Sequence, residues 1–272
     1  MYKKLQIYKP FVSNEMKTQM AYKGAFYLFI VISLFSAFIM YFLWMAIYGS
    51  SNEAVLGGLS QNEMVVYIFM VYVTSSVVSI SISEWVSEDV VKGSVAMNLI
   101  KPIDYRLSLM ARAFGNMLYR FLVPSVFIWI GIEIYKVYIL GMGMTPLSNM
   151  LLYSLSTLMS FLIFILFDFC FGMIAFFTTY VFGMILVKEA LLSFLTGQLI
   201  PLSFFPEAVQ RLFDFLPFSS MVYTPVMIYL GKYTTSELIF VLARQVIWIC
   251  LLYLLGNLVW KKVTKKLIVL GG

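Results

Sequence analysis

The chain has 272 residues, 62% of them hydrophobic and only 12% charged, with a formal net charge of +6. Soluble globular domains carry roughly 25% charged residues, so this composition specifies an integral membrane protein, and the excess of Lys and Arg is read as an orienting charge in the bilayer rather than a nucleic-acid surface. There is no histidine, which excludes imidazole metal ligands, imidazole general bases and Ser-His-Asp triads. Cys170 and Cys250 lie in apolar runs and offer no disulfide framework.

In chain order, the first feature is a stretch from Pro10 to Tyr22. Pro10 suits a first helical turn, and Val12, Met16 and Met20 share a face flanked by Lys17 and Lys23. An amphipathic helix lying on the membrane surface fits this pattern, with a disordered basic tail as the alternative. A spanning helix needs roughly 20 apolar residues, and six segments qualify: 26–48, 64–83, 117–140, 150–175, 181–203 and 238–260. The first run exceeds the h-region of a secretory signal and is expected to be a retained span. With both ends cytoplasmic, fifteen basic residues fall inside: Lys3, Lys4, Lys9, Lys17, Lys23, Lys92, Lys101, Arg106, Arg112, Arg120, Lys188, Lys261, Lys262, Lys265 and Lys266. Only Lys136, Arg211, Lys232 and Arg244 fall outside, a strong positive-inside bias. The expected fold is thus an all-α integral membrane protein, a single transmembrane domain over 1–272 with six transmembrane helices.

The second segment is rich in hydroxyls, and the spacing of Ser75, Ser79 and Ser83 places them on one helical face. Close helix packing and a polar pathway lining both fit such a face. The cytoplasmic connection 84–116, which includes Glu84 and Glu88, reads as two short helices. Ser87 is a candidate N-cap for the first, Gly93 its stop, Ser94 the cap of the second, Pro102 its end and Asp104 the cap of the helix into the third span. Trp85, Val95, Met97 and Leu99 are expected to be exposed there, as a docking surface for a soluble partner or as packing against the bundle.

Charges inside the apolar segments are functional candidates. Arg120 and Lys136 fall near expected span ends, where they can snorkel, and Glu133 is one turn from Lys136 and can pair with it. Asp168 is the one acid of the fourth segment. The turn between the fourth and fifth segments is expected between Phe176 and Lys188.

The segment from Gly197 to Pro225 is apolar, yet Pro201, Pro206, Pro217 and Pro225 interrupt it. Proline breaks a helix and freed backbone groups cannot face lipid, so this is no simple span. A re-entrant external helical hairpin within 204–237 accommodates the pattern. Finally, no G-x-x-x-x-G-K-[ST] phosphate loop is present. Any active pumping therefore draws on a gradient or on a separate subunit.

Three motifs carry a family resemblance. Gly93 with Leu99-Ile100-Lys101-Pro102 is similar to a "G…L-L-[RK]-P" loop, and Ala175-Phe176-Phe177-Thr178 to an "A-F-W-T" turn in which Phe177 replaces the frequent Trp. Gly197…Pro201, with Phe204, Phe205, Pro206 and Leu216-Pro217, resembles a "G-x-x-x-P…P…L-P" signature. In this order the motifs resemble the permease subunits of type-2 ABC exporters, the six-span subgroup with a separate ATPase subunit. The resemblance implies a dimer with the same or a sister permease, above two cytosolic ABC ATPase subunits that hold the ATP and Mg. It further implies a bacterial cell-membrane location with both termini cytoplasmic, and no catalysis or cofactor binding by this chain. Glu84, Glu88, Gly93, Asn98, Leu99, Ile100, Lys101 and Pro102 would form the ATPase-coupling element. Gly197, Pro201, Phe204, Phe205, Pro206 and Pro217 would form an external gate, and Ser75, Ser79, Ser83 and Asp168 a pathway or dimer interface. The cargo implied is an amphipathic or hydrophobic drug, lipid or peptide. The alternatives are a gradient-driven carrier or channel, which would need Asp168 as an ionisable relay, and a membrane assembly protein that transports nothing.

Overall fold

In a computed structural model, residues 6–21, 23–178 and 181–270 are described. Lys3, Lys4, Tyr22 and residues 179–180 of the expected turn lie outside them. The elements are α1 (Lys9–Ala21), α2 (Lys23–Ser50), a hairpin of β1 (Val55–Leu56) and β2 (Leu59–Ser60), α3 (Gln61–Val78), α4 (Ile82–Val91), α5 (Ser94–Ile100) and α6 (Tyr105–Arg120). A π-helical turn (Phe121–Ser125) joins α6 to α7 (Val126–Tyr138). Then come α8 (Leu147–Gly172), a 3-10 turn (Met173–Phe176), α9 (Val181–Leu195), a second 3-10 turn (Leu202–Phe204), α10 (Glu207–Phe215), α11 (Tyr223–Tyr229) and α12 (Thr235–Leu270). The two-residue antiparallel hairpin is the one departure from the all-α expectation among the described residues.

Among the described residues, five helical stretches are long and apolar enough to cross a membrane: Val31–Ser50, Gln61–Val91, Tyr105–Tyr138, Leu147–Phe176 and Thr235–Lys265. The fifth expected segment contains the 15-residue α9, shorter than a full crossing. The core is built around α8 and the α3–α4 stretch. Phe161, Phe164 and Phe169 of α8 are buried with Met64, Met70 and Val77 of α3 and Met221 and Val226 near α11. By contrast α2, α7 and α12 expose rows of Leu, Ile and Phe, such as Phe35, Phe42, Phe127 and Phe240, as a lipid-facing surface requires.

Two sequence expectations about the first helices need correction. The helix at the amino-terminal end forms, but its inward side chain is Glu15, only 4% exposed, while Met20 lies in the open. α1 packs on α6, where Glu15 receives Arg112 at 2.7 Å and Asn116 at 3.2 Å. Hydrophobic spacing was blind to this ion-pair seam. Second, the helix entered at Gln61 does not run through Ser83. It stops at Val78, and a second helix starts at Ile82. Ser75, Ser79 and Ser83 therefore do not share one helical face.

The third expected span is also longer than the hydropathy indicated. α6, the π turn and α7 form one 34-residue stretch. Pro124 sits inside the π turn, where the wider turn accommodates the bond that proline cannot make. Arg120 thus lies in the middle of this stretch. Lys136 does not snorkel: it is 5% exposed and pairs with Glu133, as the one-turn spacing suggested. Thr145 and Tyr229 complete that cluster by donating to Glu133.

The α1–α6 crossing depends on Gly115. A Cβ there would lie 2.4 Å from the Val12 carbonyl oxygen, a backbone atom. Gly115→Val is expected to lower stability by about 1–3 kcal/mol through overpacking, read as a fall in the melting temperature of the purified protein, with faster proteolysis of α1. An unchanged melt and cleavage rate would show that α1 is not seated on α6.

Candidate functional site

The interruption at residues 79–81 organises the interior. Ser79 and Ser81 take non-helical backbone angles, so carbonyls at the end of α3 and amides at the start of α4 lose their helical partners. Within a membrane such groups must be satisfied by protein. Arg120 donates to the Ser76 carbonyl at 3.4 Å and the Ser79 carbonyl at 3.2 Å. At the other side, the Asp168 carboxylate accepts from the Ser83 amide at 2.6 Å and from the Ser83 hydroxyl at 3.0 Å. The signs agree with the helix dipoles: a cation at the carboxyl end of α3, an anion at the amino end of α4.

Asp168 is fully buried, and Lys188 of α9 reaches it at 2.5 Å while also donating to the Ser83 hydroxyl at 2.9 Å. Gly172, one turn after Asp168, lets α8 approach, since a Cβ there would lie 3.0 Å from the Ser83 Cα. Asp168 is therefore not alone, although it lies one turn from the end of α8. It ties α8, α9 and α4 together. Sequence reasoning placed Lys188 at the border of a loop and missed this pairing; the signal available was one acid and one lysine in adjacent apolar segments.

Around the interruption opens a cavity of about 660 Å³. Ser75, Ser76, Ser79 and Ser81 line it beside Glu84 and Trp85 of α4, Arg112, Asn116 and Arg120 of α6, Phe164 of α8, and Lys188 and Glu189 of α9. Ser75 and Ser79 thus share a cavity although they do not share a helical face. Ser83 sits behind them, with no exposed surface. Of the expected coupling residues, Glu84 belongs to this cavity.

The others lie at the far end of α4. Ser87 is inside a helix and caps nothing, because α4 already starts at Ile82; Glu88 pairs with Lys92 on the surface at 2.5 Å. Gly93 has φ +71° and makes the turn as expected, and is itself the N-cap position of α5. Ser94 is not the cap. Its hydroxyl donates to Asp89 at 2.6 Å, Asn98 donates to the same carboxylate at 3.1 Å and Tyr105 at 2.8 Å. Asp89, absent from the expected coupling set, is the hub that fixes α5 against α4 and α6. Val95 is buried rather than exposed, whereas Val91, Met97 and Ile100 stand 66%, 69% and 83% exposed, with Leu99 less so. Lys101 donates to Asn98 at 2.8 Å, and Lys101 and Pro102 are exposed at the end of α5. Asp104 caps α6 through the Arg106 and Leu107 amides. Burial would raise the Asp104 pKa, but the Arg106 guanidinium and these amides together hold it below the usual aspartate range.

The proline-broken segment lies elsewhere and does not meet the cavity through its prolines. Gly197, at φ +80°, lets the Tyr67 hydroxyl donate to its carbonyl at 2.6 Å; a Cβ would stand 3.0 Å from that hydroxyl. Pro201 and Pro206 open the 3-10 turn and α10, and Pro217 accepts from the Ser220 amide at 3.1 Å. Phe204 wedges between Trp44, at 4.8 Å between rings, and the hairpin turn at Gly57. Phe205 packs edge-on against Phe213 at 5.3 Å.

Compared with known families, the chain matches the one described as ABC-2 family transporter protein over residues 34–271. The chain belongs to the ABC-2 transporter family. It is accordingly a multi-pass membrane permease of the ABC transporter class, and family membership implies work with an ATPase subunit. No curated protein matches the chain. In this ABC-2 permease the matched region takes in the interruption, its capping charges and the proline-broken segment.

Removing one member of a buried ion pair strands the other, at a cost of about 3–5 kcal/mol. Asp168→Asn and Lys188→Met are each expected to destabilise the protein by that order. The double variant should lose less than the two single losses added, since neither charge is then left alone. Strict additivity in thermal or denaturant unfolding would show that the two groups do not interact.

Proposed function

We propose that this chain is the permease subunit of an ATP-driven exporter, pairing with a second permease of the same or a sister kind above two cytosolic ABC ATPase subunits. In this reading α9 is the fifth of six spans, its ends completed by flanking apolar residues, and both termini are cytoplasmic. The segment 204–237, with α10 and α11, is the re-entrant hairpin on the outer side. The chain catalyses nothing itself; ATP and Mg act on the partner, and an amphipathic or hydrophobic drug, lipid or peptide is moved outward.

The observation that carries the reading is the placement of α4. One end bears a small exposed apolar surface, Val91, Met97 and Ile100, which Asp89 holds rigid. The other end is the interruption that lines the cavity. Closure of ATPase subunits against α5 would turn α4 as a lever about residues 79–81. The lever can swing because capping charges, not continuous helix, join it to α3. Asp168 is committed to Ser83 and Lys188, so a gradient-driven carrier gains no free proton relay from it. Gly197, Pro201, Pro206 and Pro217 shape the outer segment, and Phe204 and Phe205 seal it as a gate.

Met97→Asp with Ile100→Asp places charge on the proposed docking surface without touching the Asp89 hub. Recovery of the ATPase on the purified permease is expected to fall about tenfold or more, equivalent to ~1.4 kcal/mol. Undiminished association together with undiminished stimulation of ATP hydrolysis would sink the coupling role of α5.

A further inference from the structure

Six charged side chains line the cavity: Glu15, Glu84, Glu189, Arg112, Arg120 and Lys188. All three cations are already engaged. Arg112 pairs with Glu15 at 2.7 Å and lies over the Trp85 ring at 4.0 Å. Arg120 holds the Ser76 and Ser79 carbonyls, and Lys188 holds Asp168 and Ser83. Among the acids Glu15 is engaged as well. Glu84 and Glu189 are not: both are exposed where they line the cavity, and neither makes a hydrogen bond or ion pair among the described residues.

An independent feature points the same way. Asn116 lines the cavity and is 3% exposed, yet its Oδ1 has no hydrogen-bond partner. Its orientation is fixed, because Nδ2 donates to the Glu15 carboxylate and an inverted amide would set two acceptors face to face. An orphaned buried acceptor calls for a donor. The serines add to this. Ser75 spends its proton on the Val71 carbonyl at 2.7 Å and so offers lone pairs to the cavity, while Ser76 bonds both the Val73 carbonyl at 2.8 Å and the Ser125 hydroxyl at 2.9 Å.

The uncommitted polarity of the cavity is therefore acceptor capacity, set among Phe69, Ile128, Phe164 and Leu192. With Arg112 balanced by Glu15 and Lys188 by Asp168, the Glu84 and Glu189 carboxylates exceed the charge of Arg120 by one. Its volume of about 660 Å³ lies in the range of small-molecule sites. We propose that the cavity binds an organic cation, an apolar body bearing a protonated amine, with the ammonium between Glu84 and Glu189, its N–H groups within the reach of the serine hydroxyls and Asn116 Oδ1, and the body on the apolar wall. Calling that ligand the exported cargo rests on the transport reading above; its binding does not, and is measured without any ATPase.

The test is a fluorescence titration of the purified full-length chain, in neutral detergent, with dansylcadaverine, its N-acetylated neutral form, and dansyl-aminohexanoic acid as the anionic counterpart. The amine is expected to bind at least tenfold tighter than the acetylated form, with the acid weakest. Glu84→Gln with Glu189→Gln should bring the amine down to the affinity of the acetylated form while leaving the latter unchanged. Equal binding of amine and acetylated probe by the unmodified protein, or an amine preference that survives in the double variant, overturns the proposal. If the double variant does not fold, as judged by its melting profile, Glu189→Gln alone decides: at least a threefold loss of amine affinity supports the site, and none refutes it. Failure here with a positive result for the Met97 and Ile100 variants would leave an exporter of some other cargo. Amine binding with undisturbed ATPase association would leave the cavity without the proposed motor.

Discussion

The rest of the structure depends on how a break in an apolar helix is made tolerable. Between Val78 and Ile82 the backbone leaves the helix, in a stretch where neither lipid nor neighbouring Leu and Val can take the freed polar groups. Arg120 meets the carbonyl end and Asp168 the amide end. Each of these charges would be costly if buried alone. Lys188 neutralises Asp168, and Arg120 is drawn into place by the dipole it terminates. The π turn comes immediately after Arg120, so the irregularity in one stretch stands beside the irregularity in its neighbour. α6, α8 and α9 are thereby held to the joint by charge, not only by packing.

Much of this architecture was legible in sequence because hydropathy reports burial in lipid well. The long apolar stretches, the turn at Gly93, the Asp104 cap and the Glu133–Lys136 pair all arise from local composition and one-turn spacing. The features that escaped had one physical character: a polar group whose partner is distant in sequence. Ser75, Ser79 and Ser83 at intervals of four imitate a helical stripe only if the helix is continuous, and nothing in Val-Ser-Ile-Ser-Ile-Ser declares a break. Ser87 next to two acids imitates an N-cap, yet α4 begins at Ile82, where Asp168 supplies the capping acceptor from another helix. The same limit hid Asp89. Its three donors, Ser94, Asn98 and Tyr105, lie 5, 9 and 16 residues away, across two turns. Prolines in the 201–217 segment did announce irregular backbone, but not that Phe204 would be received by Trp44 and by the turn at Gly57.

The two irregular regions solve their backbone problem differently, and that difference bears on motion. After Gly197 the chain is stitched by its own bonds: the Thr224 amide to the Ser219 carbonyl at 2.9 Å, Gln210 to the Ser203 and Phe205 carbonyls, and the Tyr223 amide back to the Thr196 carbonyl at 3.1 Å. It is also pinned to neighbouring helices by Ser160 and Gln245 at the Ser220 carbonyl and by Arg244 at Asp214. A region held by many directional bonds, within itself and to α8 and α12, moves as a unit or not at all. At residues 79–81 a few local bonds, such as the Ser79 amide to the Ser75 carbonyl and the Ile82 amide to the Ile80 carbonyl, are completed by Arg120 and Asp168 from other helices. A guanidinium or a carboxylate on a flexible stem can track a carbonyl or an amide through a small rotation without releasing it. A joint capped in this way can bend while staying satisfied. In the proposed lever, α4, bound to Asp168 at its start and to Asp89 near its end, is the element that such a joint would let turn, and the cavity whose wall it forms is the space whose shape that turn would change.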